Sequence, residues 1–139
     1  MIERDLRKIV TKRWDGWLDW LEPRGAAGIG RPDTDLFVDG AIVPVELKTG
    51  LMVEADGTGA WFLPRKIRAD QISWAQRFKN AGGLSLWMIA DSPETIWLAH
   101  NLVDHRQNYK QFFFERAMRI DELKLSEHIR EFVAELRRN

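Results

Sequence analysis

Asp33, Glu46 and Lys48 are the residues of this chain whose types and spacing can do chemistry together. Two carboxylates can hold a hard divalent cation, and a compact, mobile ammonium can orient a nucleophile or steady developing negative charge. The turn between them brings them together. Asp39-Gly40 separates two runs of apolar and β-branched residues, the strongest short-range hairpin signal, and predicts a type I′ turn. With Val38 and Ala41 flanking that turn, counting outward puts Asp33 opposite Glu46. The position is a non-hydrogen-bonded one, where Cα atoms approach to about 4.5 Å. Glu46 and Lys48, two residues apart, share a strand face. Pro44 faces Asp35, where its missing N–H leaves this ladder intact. The opposite face collects Leu36, Val38, Val43, Val45 and Leu47, so the hairpin is apolar on one side and charged on the other. Facing carboxylates destabilise a sheet. A bound divalent cation removes that objection; the plainer alternative, an exposed hairpin face with a Glu–Lys pair, leaves it standing.

The elements that must position these residues follow from periodicity. Leu6, Val10, Trp14, Trp17 and Leu21 predict an amphipathic helix over 3–21, ended by Pro23 and Gly25. The Gly-rich run 24–31 is expected to form a short first strand or a loop into the hairpin at about 33–48. Residues 50–63 hold Asp56-Gly57-Thr58-Gly59 between two apolar triplets, a second hairpin or flap. A helix is expected from about 66 to 81, after Pro64 and up to Gly82-Gly83, with Ile67, Gln71, Ala75 and Phe78 on its buried stripe. Strands at 84–90 and 95–99 follow, then helices at about 104–118 and 122–137. The expectation is one domain over 1–139, with a core at about 1–100 and a C-terminal helical extension at about 102–139. Helix packed on sheet makes it an α/β (α+β) fold.

A length of 139 residues and a hydrophobic fraction of 45% suit one folded domain rather than a disordered chain. No signal peptide and no membrane-length apolar run is read, and there is no cysteine, so a cytoplasmic, intracellular setting is expected. Basic and acidic residues balance at 21 each, which argues against a generic polyanion binder but leaves local clusters: Arg4/Arg7/Lys8, Lys12/Arg13, Arg65-Lys66-Ile67-Arg68, and Arg106 with Lys110. Each is alone compatible with a solvated helix face. Seven Trp is a high count; Trp14, Trp20 and Phe112-Phe113-Phe114 look like more aromatic surface than a small core can bury. Gly25, Gly28 and Gly30 make no dinucleotide fingerprint, and His100, His105 and His128 lack zinc spacing. No nucleophile elbow or P-loop is present.

Pro32-Asp33 followed by the hairpin and Glu46-Leu47-Lys48 resembles the signature of the PD-(D/E)XK nuclease superfamily. The wider context, Gly30-Arg31-Pro32-Asp33, Gln71 on the next helix and Ala81-Gly82-Gly83 leading into a strand, resembles the VRR-NUC-type nucleases of phage and bacterial genomes, over roughly residues 1–100. The resemblance implies a restriction-endonuclease-like core in αβββαβ order, a central mixed β-sheet flanked by helices, with extra C-terminal helices here. It implies an Mg²⁺-dependent endodeoxyribonuclease, with Mn²⁺ able to substitute, acting on duplex or branched DNA such as a Holliday junction, as a homodimer. Asp33 and Glu46 would bind the metal, with the Leu47 carbonyl as third ligand and Lys48 as the catalytic ammonium. Asp35, followed by an apolar strand, competes with Asp33; the register favours Asp33. Gln71 either satisfies itself in the core or points at the site to hold Lys48, the nucleophilic water or a phosphate. Many superfamily members place a metal-binding Glu on the first helix, which makes Glu3 a candidate and Glu22 its rival. Arg24 and Arg31 flank the site and could meet phosphates, as could Arg65, Lys66 and Arg68. The rival functions are a non-catalytic nucleic-acid-binding module and a protein-interaction subunit that keep the fold.

Overall fold

The computed structural model describes residues 2–21, 30–54, 61–63, 67–92, 94–104 and 112–138. Helix α1 (Glu3–Arg13) leads through β1 (Leu18–Trp20) to the hairpin β2 (Thr34–Val38) and β3 (Ala41–Thr49). Short strands β4 (Val53–Glu54) and β5 (Trp61–Leu63) precede α2 (Ala69–Asn80). Then come β6 (Leu86–Ser92), β7 (Thr95–Asp104), β8 (Phe112–Ile120), a single 3-10 turn and α3 (Leu125–Arg138). Among the described residues the strands form one eight-stranded sheet in the order β1-β2-β3-β6-β7-β8-β5-β4. The β3–β6 pair is parallel, and the other pairs are antiparallel.

The hairpin has the expected turn and register. Asp39 (φ 46°) and Gly40 (φ 94°) both take the positive φ of a type I′ turn. Val38 pairs with Ala41, and the ladder runs out to Thr34 and Val45. The first half of β3 pairs with β2, and from Val45 onward β3 pairs with β6. One sheet face is dry: Leu36, Val38, Val43, Val45 and Leu47 pack with Leu6, Val10 and Trp14 from the α1 side and with Leu125, Ile129, Phe132 and Val133 of α3. The spacing of those helical residues is what puts each stripe inward. The other face carries the charged residues of the hairpin and, farther along, a second cluster: Trp87, Ile89, Trp97, Ala99 and Phe114, partly covered by Ile72 and Ala75 of α2.

Three expectations fail. The first helix stops at Arg13 rather than near residue 21, and a strand forms at 18–20 instead; of the Gly-rich run 24–31, residues 24–29 lie outside the described residues. Trp14 turns its indole Nε1 back onto the Trp17 carbonyl (2.9 Å), and Leu18 and Trp20 then alternate toward the core against Leu36 and Thr34. Of the expected helix over 104–118, Asp104 ends β7 and 112–118 lie in β8, with 105–111 outside the described residues; among the described residues of the expected C-terminal helical extension, α3 is the one α-helix. Aromatic Phe113 and Phe114 favour a strand, and Phe114 is fully buried beside Trp87, ring centroids 6.0 Å apart. Trp14 is likewise 5% exposed, so these two aromatics belong to the core, not to a surplus surface. The 50–63 hairpin is present as β4–β5, with its tip at 55–60 outside the described residues. No helix is long and apolar enough to cross a membrane, among the described residues.

Candidate active site

Glu46 is the centre of the site. It points from β3 to the face under α2 and is 5% exposed. Its Oε1 accepts a hydrogen bond from Gln71 Nε2 at 2.8 Å and lies 3.8 Å from Lys48 Nζ. Gln71 sits in the first turn of α2, where its own Oε1 accepts the Arg68 N–H (3.3 Å), so one amide fixes both the helix start and the carboxylate. Burial, then the neighbouring Asp33 carboxyl, push Glu46 up to about 9, against the lowering effect of Lys48.

Asp33 stands where β2 peels away from β3. Beyond Thr34 its side chain takes over from the backbone: Oδ2 accepts the Leu47 N–H at 2.9 Å. Its main-chain carbonyl accepts the Leu21 N–H (3.0 Å). Gly30 anchors the approach to Asp33. At φ +83°, a Cβ there would fall 2.1 Å from the Asp70 carbonyl oxygen, so the loop can run this close to the first turn of α2 only without a side chain. The Gly-x-Pro-Asp segment is therefore packed directly on the helix that delivers Gln71. Glu3, at the start of α1, is exposed as a residue, but its carboxyl is desolvated and lies beside Asp33; both effects push it up, and Lys48 opposes them.

The structure thus brings Asp33, Glu46, Lys48, Gln71 and Glu3 together. It separates Asp35, which is 6% exposed and held by Arg31 Nη2 at 2.6 Å on Oδ2, while its Oδ1 is buried without a hydrogen-bond partner. Arg31 also lies over the Trp74 ring, 5.4 Å from its centroid. Arg68 is exposed at the α2 N-terminus, 3.3 Å from Asp70 Oδ1. Arg24, Arg65, Lys66 and Glu22 lie outside the described residues. Among the described residues no three acidic, His or Cys side chains close around one point as a ready-made cage. Two carboxylates with a main-chain oxygen are nonetheless the donor set a Mg²⁺ takes alongside waters and substrate phosphates. The Arg31–Asp35–Trp74 contact and the Gly30 packing carry no mark in the sequence, since both depend on how α2 meets the hairpin.

The fold is similar to that of Hjc, a Holliday junction resolvase from the archaeal hyperthermophile Archaeoglobus fulgidus, with a TM-score of 0.52 and 16% identity over 90% of this chain and 94% of that one. No protein-family profile matches the chain, and no curated protein sequence matches it. A central mixed sheet flanked by helices, in the nuclease-like arrangement of that resolvase, is the fold of this chain.

Proposed function

We propose that this chain is a metal-dependent, structure-specific DNA endonuclease of the PD-(D/E)XK type, hydrolysing phosphodiester bonds in branched or duplex DNA. The observation that carries the reading is the buried Glu46 carboxyl, placed against Asp33 on one sheet face with Lys48 and Gln71 on it. A hairpin selected only for stability has no use for that crowding of acids. Mg²⁺, or Mn²⁺ in its place, would be held by Asp33, Glu46, the Leu47 carbonyl and, through water, Glu3; bound there it supplies Lewis-acid stabilisation of the phosphate charge. Gln71 keeps the Glu46 carboxylate in one orientation. Lys48, within 4 Å of that carboxylate, aligns the attacking water or meets the charge that builds on the phosphate in the transition state.

The likeness to a Holliday junction resolvase favours branched DNA as substrate, and the Gly-x-Pro-Asp, Gln71 and Ala-Gly-Gly elements favour a VRR-NUC-type, phage-related kinship acting in the cytoplasm. A two-fold junction calls for two sites and hence for a homodimer. The half-exposed row of Trp17, just before β1, with Phe37 on β2 and Ile42 on β3 offers apolar surface for one. Incubation of plasmid and of a four-way junction with Mg²⁺ or Mn²⁺ against EDTA tests the reading, with light scattering for the dimer. Cutting in EDTA, or no cutting of any DNA with either metal, refutes it.

A further inference from the structure

Beside the site, along the outer side of α1, runs a groove lined by Arg4, Arg7, Lys8, Lys12, Thr11 and Trp20, and closed at one end by Glu3. It arises because Leu6 and Val10 turn into the core, which leaves positions 4, 7, 8, 11 and 12 on the outer side of the helix. Four cations in one groove are a marked local excess in a chain of zero net charge. Arg4, Lys8 and Lys12 are four residues apart, steps of about 6 Å along the helix axis. That spacing can follow the phosphates of a single strand. The floor is aromatic: Arg7 lies over the Trp20 ring, 4.5 Å from its centroid, and Trp20 Nε1 donates to Thr11 Oγ1 at 3.2 Å, which fixes the indole. An indole topped by a guanidinium is a stacking platform for a base, and a base is free to stack only when it is unpaired.

We propose that the α1 groove receives an unpaired strand of nucleic acid and leads it past Glu3 to the Asp33–Glu46 centre, with the cations on its phosphates and the Arg7–Trp20 pair against a base. The proposal rests on the nuclease reading for where the strand goes, not for whether it binds. A substrate with a single-stranded arm or an opened branch point is what such a track selects over a blunt duplex.

The test is binding in EDTA, where no cutting intervenes, of a labelled single strand and a blunt duplex of equal length over a salt series. Removing two phosphate contacts in Lys8→Ala/Lys12→Ala, both exposed positions, should flatten the salt slope of single-strand affinity by about 1.4 log units per log unit of salt. Trp20→Leu should weaken single-strand binding and leave duplex binding unchanged. An unaltered slope in the double lysine variant, with unaltered circular dichroism, overturns the proposal, as does an equal loss for single strand and duplex in both variants. If wild type cuts nothing with Mg²⁺ or Mn²⁺ yet the slope responds to Lys8 and Lys12, the groove stands and the nuclease reading falls.

Discussion

Replacing the ionisable carboxyl of Glu46 with an amide should make the metal-free protein more stable while abolishing catalysis. The fold holds the Glu46 proton from an ordinary 4.5 up to about 9, through burial and the Asp33 carboxyl. A carboxyl with a raised folded pKa contributes stability that is complete below its unfolded value and is lost as pH rises toward the folded one. At pH 7 the unfolded chain has already released that proton and the fold has not. The interval between 4.5 and 7 corresponds to about 3 kcal/mol against the native state at 1.36 per unit. Glu46→Gln keeps an oxygen for Gln71 Nε2 and removes the titration, so much of that cost should return. Denaturant unfolding in EDTA between pH 5 and 9 is the assay: wild type should lose stability with rising pH, and the variant should hold a flatter profile above it at pH 8. Saturating Mg²⁺ should close the gap by stabilising wild type alone, because the metal displaces the proton. Wild-type stability that rises across this range, or a variant less stable than wild type at pH 8, would refute the reasoning.

Lys48→Ala should lower the single-turnover cutting rate by about 10²–10³ while changing DNA affinity far less, as befits an ammonium that meets charge only in the transition state; equal losses in both would mark it as a plain phosphate contact. Asp33→Asn keeps an oxygen to accept the Leu47 N–H, so it should cost activity with little loss of thermal stability. Asp35→Asn strips the charge from the partner of Arg31 in a buried setting, so it should lower the unfolding free energy by about 1–3 kcal/mol and spare more of the activity; melting curves beside nicking assays separate the two. Gly30→Ala should destabilise by about 1–3 kcal/mol, because its Cβ would meet the Asp70 carbonyl, and a melting temperature equal to wild type would mean the loop does not pack as described.

The hairpin was legible because everything that determines it is local: Asp39-Gly40 sets the turn, and alternation sets which side is dry. The expectation that Asp33 meets Glu46, one step beyond the Thr34–Val45 pair, follows from those two facts alone. β1 was not legible, because three residues become a strand only by pairing with Leu36, Asp35 and Thr34, while Trp14, Trp17 and Leu21 happen to keep a helical spacing. The strand β8 was hidden in a similar way. Residues 112–118 are expected to continue a helix, yet the segment is held by its ladder to β7 and by the burial of Phe114. Gln71 announced itself as a lone polar residue on a buried stripe; that its partner is Glu46 depends on where α2 docks, which no local pattern contains.

The transfer of β3 from one partner to another at Val45 has a consequence for how the molecule opens. Glu46 and Lys48 lie on the stretch paired with β6, inside the sheet, where amide protons exchange only in the largest fluctuations. Asp33 hangs at the end of the β2 ladder, and Glu3 sits in the first turn of α1, where a helix frays. The acids of one centre therefore belong to cooperative units of different stability. Mild heat or denaturant would dismantle the centre from its rim inward, so that Glu3 and then Asp33 drift from Glu46 while the sheet that carries Glu46 is still folded.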